Sequence, residues 1–575
     1  MEINGANLNG ATLNGATHSW AGQTETVTPP ASSRWRLRVL LDGLDVSARL
    51  TGQLAIDREE GAARLARLSL RPQPGLLDLD VFTGKPLQVY RQRLQGTAVV
   101  SEQLRFTGVT LRPSLDATRG VVGLTGTCDL QNRIEQLPIE AIDALVPGYY
   151  AEAVFGEIES HWQYAQDRCS TLMGNLESAP DGSLRMTPWT PAAVAHFTFG
   201  ADAVLDGSVE VQPADVGQLL NQVELVVEYR YSRLRQRQQG YTWGHPAGSF
   251  CVWRLNSTEL PTRSMLRDAL DQGGWQSRGT AMETLPPSAP NPCLDGIPWN
   301  NPYTADPFLL GFHSTLIKRF TQTITERYHI TLDAVGSQAA FGAHPGRERY
   351  SDEVAYEAGD WENQPADLDP PGAVRDELDD WVIDQDEPAR RDNTLHTVLR
   401  CEQVRIAASH RQTRVLFQTP ITDAVYDTLH TARLAALGTV AQGKVVRVQE
   451  RWDMDGGSEV ATLELAIRRG GAAVAADPLI LPARPTFDLS DVPPPSPPLL
   501  TTQLGGAVSS PPFDESRDGF SGNYSITAPG SETYPRQLRL TTPDIPARHR
   551  DPVETETVAR YSLNLATDLL LTEVP

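Results

Sequence analysis

The heptapeptide Gly438-Thr439-Val440-Ala441-Gln442-Gly443-Lys444 has the glycine and lysine spacing of a phosphate-binding loop. Such a loop needs Ser or Thr next, because that hydroxyl holds magnesium. Here Val445 follows. A strand must also precede the loop and a helix follow it, so that amides and helix dipole meet the phosphate. The pattern predicts the reverse, a helix over Asp423 to Leu437 and a strand afterwards. Gly438 then reads as a helix C-terminal glycine and Gly443 as the entry to a hairpin. Asp453, Asp455 and Glu459 have part of a calcium-loop spacing, but the full pattern needs a further acid before the glycine as well as a bidentate Glu at the twelfth position. A solvated hairpin turn is the expectation there.

No H-E-x-x-H, G-x-S-x-G or G-x-G-x-x-G occurs, and the 11 histidines are scattered. The five cysteines, Cys128, Cys169, Cys251, Cys293 and Cys401, are far apart and form no C-x-x-C. A disulfide scaffold and a cysteine metal site are therefore not expected, and a reducing compartment is. Neither a catalytic residue nor a cofactor is assigned. The net charge of -22 disfavours grip on nucleic acid or on anionic membranes. It suits an acidic channel wall past which DNA slides, or simply a soluble surface. The densest acidic block lies within 351–390, and Asp376, Glu377, Asp379 and Asp380 are the candidate channel or surface patch. Trp361 and Trp381 interrupt the block and suggest that it is pinned to something.

These residues sit in a chain patterned mainly for short strands, with 45 Gly and 43 Pro. The expected class is mainly β (α+β). Residues 1–32 form an arm whose first seventeen residues repeat in steps of five, from Ile3-Asn4-Gly5-Ala6-Asn7 onward, and resemble pentapeptide repeats. The start carries no basic region followed by an apolar run, so no signal peptide is expected. A first β-barrel or sandwich is predicted over 33–140, a helical connector over 141–190 and a second β-rich region over 191–345. Within the latter, Val223 to Trp243 alternates as a strand, and Arg233, Arg235 and Arg237 extend its apolar face with charge. Leu309, Phe312, Leu316, Phe320 and Ile324 step by three and four, which predicts a helix over Asp306 to Arg327. The acidic insertion covers 346–395, and a helix with a long hairpin (Lys444 to Arg468) covers 396–476. A Pro-rich linker (477–500) leads to a small C-terminal β region (501–575).

Several pieces, in order, resemble the tail hub proteins of long-tailed bacteriophages. The segment Ile56-Asp57-Arg58-Glu59-Glu60-Gly61-Ala62-Ala63-Arg64 through Leu70 resembles their opening acidic-Gly-Ala stretch. Phe82-Thr83-Gly84-Lys85-Pro86 and Arg105-Phe106-Thr107-Gly108-Val109 resemble their W-x-G-K-P and F-x-G-x-V pieces, with Phe82 replacing Trp. Phe320 to Glu326 and the hairpin from Gly443 to Ala466 resemble later parts of the hub core. The resemblance spans residues 35–470 and implies two hub-type β-barrels per chain, a homotrimer around a channel, and no catalytic residues. It implies a structural protein of the virion tail tip, assembled in the host cytoplasm, that joins tail tube to tip or fibre proteins and lets DNA pass without binding it. The competing expectation is a host-surface carbohydrate binder, in which Trp361 and Trp381 stack on sugars.

Overall fold

The computed structural model describes residues 24–29, 34–73, 75, 77–244, 262–285, 307–366, 374–375, 380–486, 500–504, 514–522 and 537–573. The five-residue repeats, Cys251, Cys293, Asp376, Glu377, Asp379 and the run Val492 to Pro498 lie outside them. The fold is mainly β.

Alternating apolar residues build the first module. Leu37, Val39 and Leu41 in strand Arg34–Leu41 and Leu54 and Ile56 in strand Leu50–Glu59 are buried. Strands Leu65–Leu70, Pro86–Gln95, Ala98–Thr110 and Val121–Thr127 complete it, all antiparallel to their neighbours. Gly108 permits a close approach: a Cβ there would lie 2.1 Å from the Thr127 carbonyl oxygen. The second module draws strands from distant parts of the chain: Phe197–Gly200, Glu210–Gln212, Thr413–Pro420, Thr431–Ala436, Thr439–Asp453 and Ser458–Ile467. Glu25–Val27 adds in parallel to Phe197–Gly200, and Leu570–Thr572 adds to Thr439–Asp453.

Strand Thr439–Asp453 belongs to both modules. On one edge, Thr439 to Lys444 pairs with Thr431–Ala436, and Arg447 to Asp453 pairs with Gln53 to Glu59 of the first module. The other edge pairs with Ser458–Ile467, and its register shifts between Val445 and Arg447, where the first edge changes partner. A bulge adds the local twist that such a switch needs. The result is one 16-stranded sheet over one continuous apolar core. Among the described strands neither module closes on itself as a complete barrel. Strand Leu50–Glu59 takes its second neighbour from the other module, so its edge is satisfied without curling back to Arg34–Leu41.

Four short helices, Leu130–Glu135, Ile139–Leu145, Glu152–Phe155 and His161–Cys169, and the hairpin Gly174–Ser178/Leu184–Pro188 follow the first module. Between Glu210–Gln212 and Thr413–Pro420 the chain builds six strands of a separate seven-stranded sheet around two long antiparallel strands, Gln222–Gly244 and Phe308–Asp333. The helix expected over Asp306 to Arg327 is thus a strand. Steps of four are even, so Phe312, Leu316, Phe320 and Ile324 share a face in a strand as they would in a helix, and all four are buried. The β-branched run Thr321, Thr323, Ile324 and Thr325 favours the extended form. Helix Pro388–Ser409 covers one face of this sheet with Leu395, Val398, Leu399 and Ile406 against Val223, Leu225 and Val227.

The helix expected over Asp423 to Leu437 is likewise a loop and strand Thr431–Ala436. Leu437 and Gly438, at φ 50° and 73°, form the two-residue turn into Thr439–Asp453, so Gly438 is a hairpin glycine rather than a helix cap. The hairpin read from Lys444 to Arg468 is present, with its turn between Asp453 and Ser458. Expected boundaries at 140/141, 345/346 and 395/396 fall inside helix Ile139–Leu145, strand Pro345–Glu353 and helix Pro388–Ser409. The C-terminal region does not stand apart. Thr501–Leu504, Gly519–Gly522 and Gln537–Arg539 make a small sheet, but Val553–Ser562 joins the seven-stranded sheet and Leu570–Thr572 the large one.

Candidate functional site

A seam of buried charge runs where the two modules meet. Strand periodicity places Val448, Glu450 and Trp452 inward, all at 0% exposure. Facing them, Leu54, Ile56 and Arg58 point inward from Leu50–Glu59, equally buried. The Glu450 carboxylate therefore has no access to water. It accepts from Arg58 Nη2 at 2.6 Å and from Arg105 Nη1 at 2.7 Å. Arg58 also donates to the carbonyls of Tyr426 (3.2 Å) and Arg105 (3.0 Å), and Arg105 to those of Ala424 (2.8 Å) and Thr422 (2.6 Å). Burial alone would raise the Glu450 pKa, but the two guanidiniums outweigh it and hold the carboxyl below its ordinary value.

Beside this triad, buried Arg91 makes a two-point contact with Glu459 (2.7 Å on both oxygens) and reaches Asp423 at 2.9 Å. Arg93 takes the other Asp423 oxygen at 2.8 Å. Every arginine here comes from the first module and every carboxylate from the second. A cleft of ≈ 240 Å³ borders this end, lined by Glu25, Thr26, Val27, Thr28, Arg91, Arg93, Thr422, Asp423 and Ala424.

At the other end Asp427 bridges Arg64 and Arg185, both at 2.6 Å. Burial pushes its pKa up, yet Arg185 and Arg64 bring it well below the usual carboxylate range. Glu177, raised by burial and by the Asp427 charge, accepts from Thr428 (2.6 Å) and Thr187 (3.0 Å). The connector hairpin is thus bolted to the seam. Arg411 forks onto Glu60 (2.8 and 3.1 Å) and lies 4.7 Å over the Trp189 ring. Burial lowers Lys444 to about 8 and His430 to about 3. Lys444, the terminal lysine of the phosphate-loop spacing, is 2% exposed and donates to the Leu429 carbonyl at 2.6 Å, sealed from any phosphate. Chemically this is a lock: its charges face each other.

The candidate acidic patch divides. Asp380 is buried at 2% exposure and accepts from Arg237 at 2.6 to 3.0 Å, with His549 Nδ1 at 3.8 Å. Burial opposes its ionisation, but His549 and Arg237 keep its pKa low. The reading of Asp380 as a channel or surface charge is corrected: its carboxylate is neutralised inside the chain. Asp376, Glu377 and Asp379 lie outside the described residues. The acidic block is pinned to the arginine row of strand Gln222–Gly244. Strand Trp381–Asp384 pairs with Arg233 to Gln236, and Asp384 forks onto Arg233 (2.6 and 2.8 Å). Trp361, at 2% exposure, donates to the Arg235 carbonyl (2.9 Å) under the Arg319 guanidinium, 4.9 Å from its ring. It is therefore not available to stack on sugar.

Asp453 caps its own turn through the amides of Asp455 and Gly456 (3.0 Å each), while Glu459 faces Arg91, so the three carboxylates do not converge. Sequence reasoning missed Arg58, Arg105, Glu450 and Asp427. For Arg58 and Glu450 the signal was present, a charged residue at an inward position of an apolar alternation.

No protein-family model matches the chain, and no curated protein matches it. Solved structures are similar to it. The tail protein from Neisseria meningitidis MC58 aligns over 75% of this chain and 96% of its own, at 10% identity and TM-score 0.36. The 43 kDa tail protein of prophage MuSo2 from Shewanella oneidensis aligns over 76% and 98%, at 10% identity and TM-score 0.35. Prophage tail protein gp18 from Listeria monocytogenes EGD-e aligns over 75% and 94%, at 7% identity and TM-score 0.27. No helix among the described residues is long and apolar enough to cross a membrane.

Proposed function

We propose that the chain is a structural protein of a bacteriophage tail, the central hub of its tip or baseplate. It acts as a homotrimer that joins the tail tube to tip or fibre proteins and surrounds part of the DNA path. The observation that carries this reading is the buried Arg58–Glu450–Arg105 triad between two modules that share one strand. Buried ion pairs add little net stability compared with apolar packing; a fixed relative geometry is what such a triad offers a scaffold. The hub resemblance spreads over both modules and the sheet between them, which supports the same reading. The protein works without a cofactor or a catalytic residue, at the tail tip, after assembly in a reducing cytoplasm where Cys128, Cys169 and Cys401 stay free.

Native mass measurement tests the proposal. The expected species is three copies of the 63.0 kDa chain, and particle imaging should place it at the distal end of the tail. A monomer that persists at high concentration and inside particles would rule the hub out. Purified cell wall should release no fragments; turnover abolished by a single carboxylate substitution would overturn the non-enzymatic reading.

A further inference from the structure

Among the described residues, the seven-stranded sheet has two edges without a strand partner whose outward-facing ion-paired side chains are opposite in charge. At one end of it four strands lie in the order Pro345–Glu353, Gln222–Gly244, Phe308–Asp333, Val553–Ser562. Helix Pro388–Ser409 covers one face of these strands. On the other face the ion-paired charges at the middle of the strands alternate in sign from strand to strand, while Glu353, Arg230, Asp333 and Arg560 near the strand ends carry the opposite sign to their columns. Arg347 and Arg349 on the first strand reach Glu224 and Glu228 on the second, each at 2.9 Å. Glu228 also meets Arg327 of the third strand at 2.9 Å. Arg327 meets Glu554 of the fourth at 2.6 Å, and His329 lies 3.3 Å from Glu556. The columns therefore run basic, acidic, basic, acidic. A fifth strand that continued the series would be basic, as the first strand is.

The backbone points the same way. Val354 donates to Arg230 inside the sheet, so by strand alternation the peptide groups of Arg347, Arg349 and Ser351 face outward. Leu563 donates to Asp333, so those of Glu554, Glu556, Val558 and Arg560 face outward from the other edge. Asp477 caps only the end of that edge, at Ser562. Among the described residues neither edge has a further strand partner. The outward side chains keep much of their surface: Arg347 83%, Arg349 69%, Glu554 56% and Glu556 71%, with Val558 at 78%. The acidic strand's one base, Arg560, is tied to Asp333 at 2.6 Å. The two edge strands run in opposite directions, because the inner pair is antiparallel and each outer strand is parallel to its neighbour.

We propose that the acidic edge Val553–Ser562 of one copy pairs, antiparallel, with the basic edge Pro345–Glu353 of the next, joining copies head to tail into a closed ring. The register that satisfies the charges sets Glu554 opposite Arg349 and Glu556 opposite Arg347. It also sets the exposed Val558 opposite Pro345 and leads Arg550 toward Glu353. These are hydrogen-bonded pairs, in which directly opposed side chains lie close enough for cross-strand ion pairing. A heterologous contact of this kind closes into a ring when its rotation divides the circle. The proposal rests on the reading of the chain as a ring-forming hub and assigns the surface through which the ring forms.

Sedimentation of the full chain tests it. Arg347→Glu with Arg349→Glu, and separately Glu554→Arg with Glu556→Arg, place like charges across the joint. Each should lower the association constant by about 100-fold or more. All four substitutions in one chain restore complementarity and should restore the oligomer. Val558→Pro is the control for folding: its amide faces outward, so the isolated strand tolerates proline, while the joint loses a backbone bond and the oligomer should weaken. Charge-reversed pairs or Val558→Pro that assemble like wild type would overturn the edge pairing and leave the hub reading in place. Failure of the fourfold variant to reassemble, with a wild-type circular dichroism melt, would also overturn the pairing. A wild-type chain that stays monomeric would overturn both.

Discussion

Replacing Glu450 with Gln tests the lock between the modules most directly. The side chain keeps its shape and one acceptor oxygen but loses the charge that two fully buried guanidiniums share. Removing one partner of a buried pair costs about 3–5 kcal/mol, because the other charge remains without water. One amide oxygen can still serve Arg58 or Arg105, so about 4 kcal/mol is expected rather than twice the range. That corresponds to a roughly 10³-fold rise in the opening of the seam. Hydrogen exchange read by mass spectrometry on peptides covering Thr439–Asp453 and Ala98–Thr110 should show a fall in protection of that order. Glu459→Gln is the internal comparison. Its partner Arg91 retains Asp423, itself about one-third exposed, so the loss should be closer to 1–2 kcal/mol. Protection that drops less than about tenfold in Glu450→Gln, or more in Glu459→Gln than in Glu450→Gln, would refute the assignment of Glu450 as the keystone.

Three further outcomes follow from the same geometry. Burial holds His430 at about 3 against an ordinary 6.5, and its Nδ1 accepts from the Asp427 amide at 3.1 Å. The unfolded chain takes up a proton there first, so this contribution is intact above pH 6.5 and is lost as pH falls toward 3, at about 1.4 kcal/mol per pH unit. His430→Gln should flatten the dependence of the melting temperature between pH 7 and 5. Trp361→Ala removes the ring beneath Arg319 and should cost about 3–5 kcal/mol locally, read as faster proteolysis within 351–390. Exchanging Asp376, Glu377 and Asp379 for Lys should slow DNA ejection at low salt and recover at high salt, where screening over roughly 8 Å or less removes the attraction; unchanged ejection at low salt would refute their place on the DNA path.

Strands whose alternation is complete were legible in the sequence, as in Val223 to Trp243 and the hairpin from Lys444 to Arg468. Phe308–Asp333 was misread because its large residues recur every four positions, a step common to both periodicities, while the small and polar members of the same face, Ser314 and Gln322, are buried too. Thr431–Ala436 was misread because a loop and six strand residues together mimic helical spacing. The seam was hidden for a different reason. Arg58 and Glu450 are 392 positions apart, and an inward position in an apolar alternation marks each as buried without saying which distant charge will meet it. The acidic block showed the reverse. Its tryptophans and the arginine row each read as unfinished surfaces, and the structure makes them partners, Asp384 on Arg233 and Asp380 on Arg237.

The order of the chain explains why a lock is placed at the seam. The second module opens with Phe197–Gly200 and Glu210–Gln212, is interrupted by six strands of the seven-stranded sheet, and resumes at Thr413–Pro420, which pairs directly with Glu210–Gln212. The inserted sheet thus leaves and re-enters at neighbouring strands, and Val553–Ser562 with Leu570–Thr572 ties both sheets together near the C-terminal end. Two crossings and one tie restrict the inserted sheet relative to the second module, but they do not set the first module, which is built from residues 34–127 alone. Its orientation depends on the seven-residue ladder between Gln53 to Glu59 and Arg447 to Asp453. A ladder by itself tolerates slippage, since backbone bonds carry no side-chain identity. A two-residue slip would keep every side chain on its face and leave the apolar pattern acceptable, yet it would carry Glu450 away from Arg58 and Arg105. The buried triad therefore selects one register, and with it one angle between the modules.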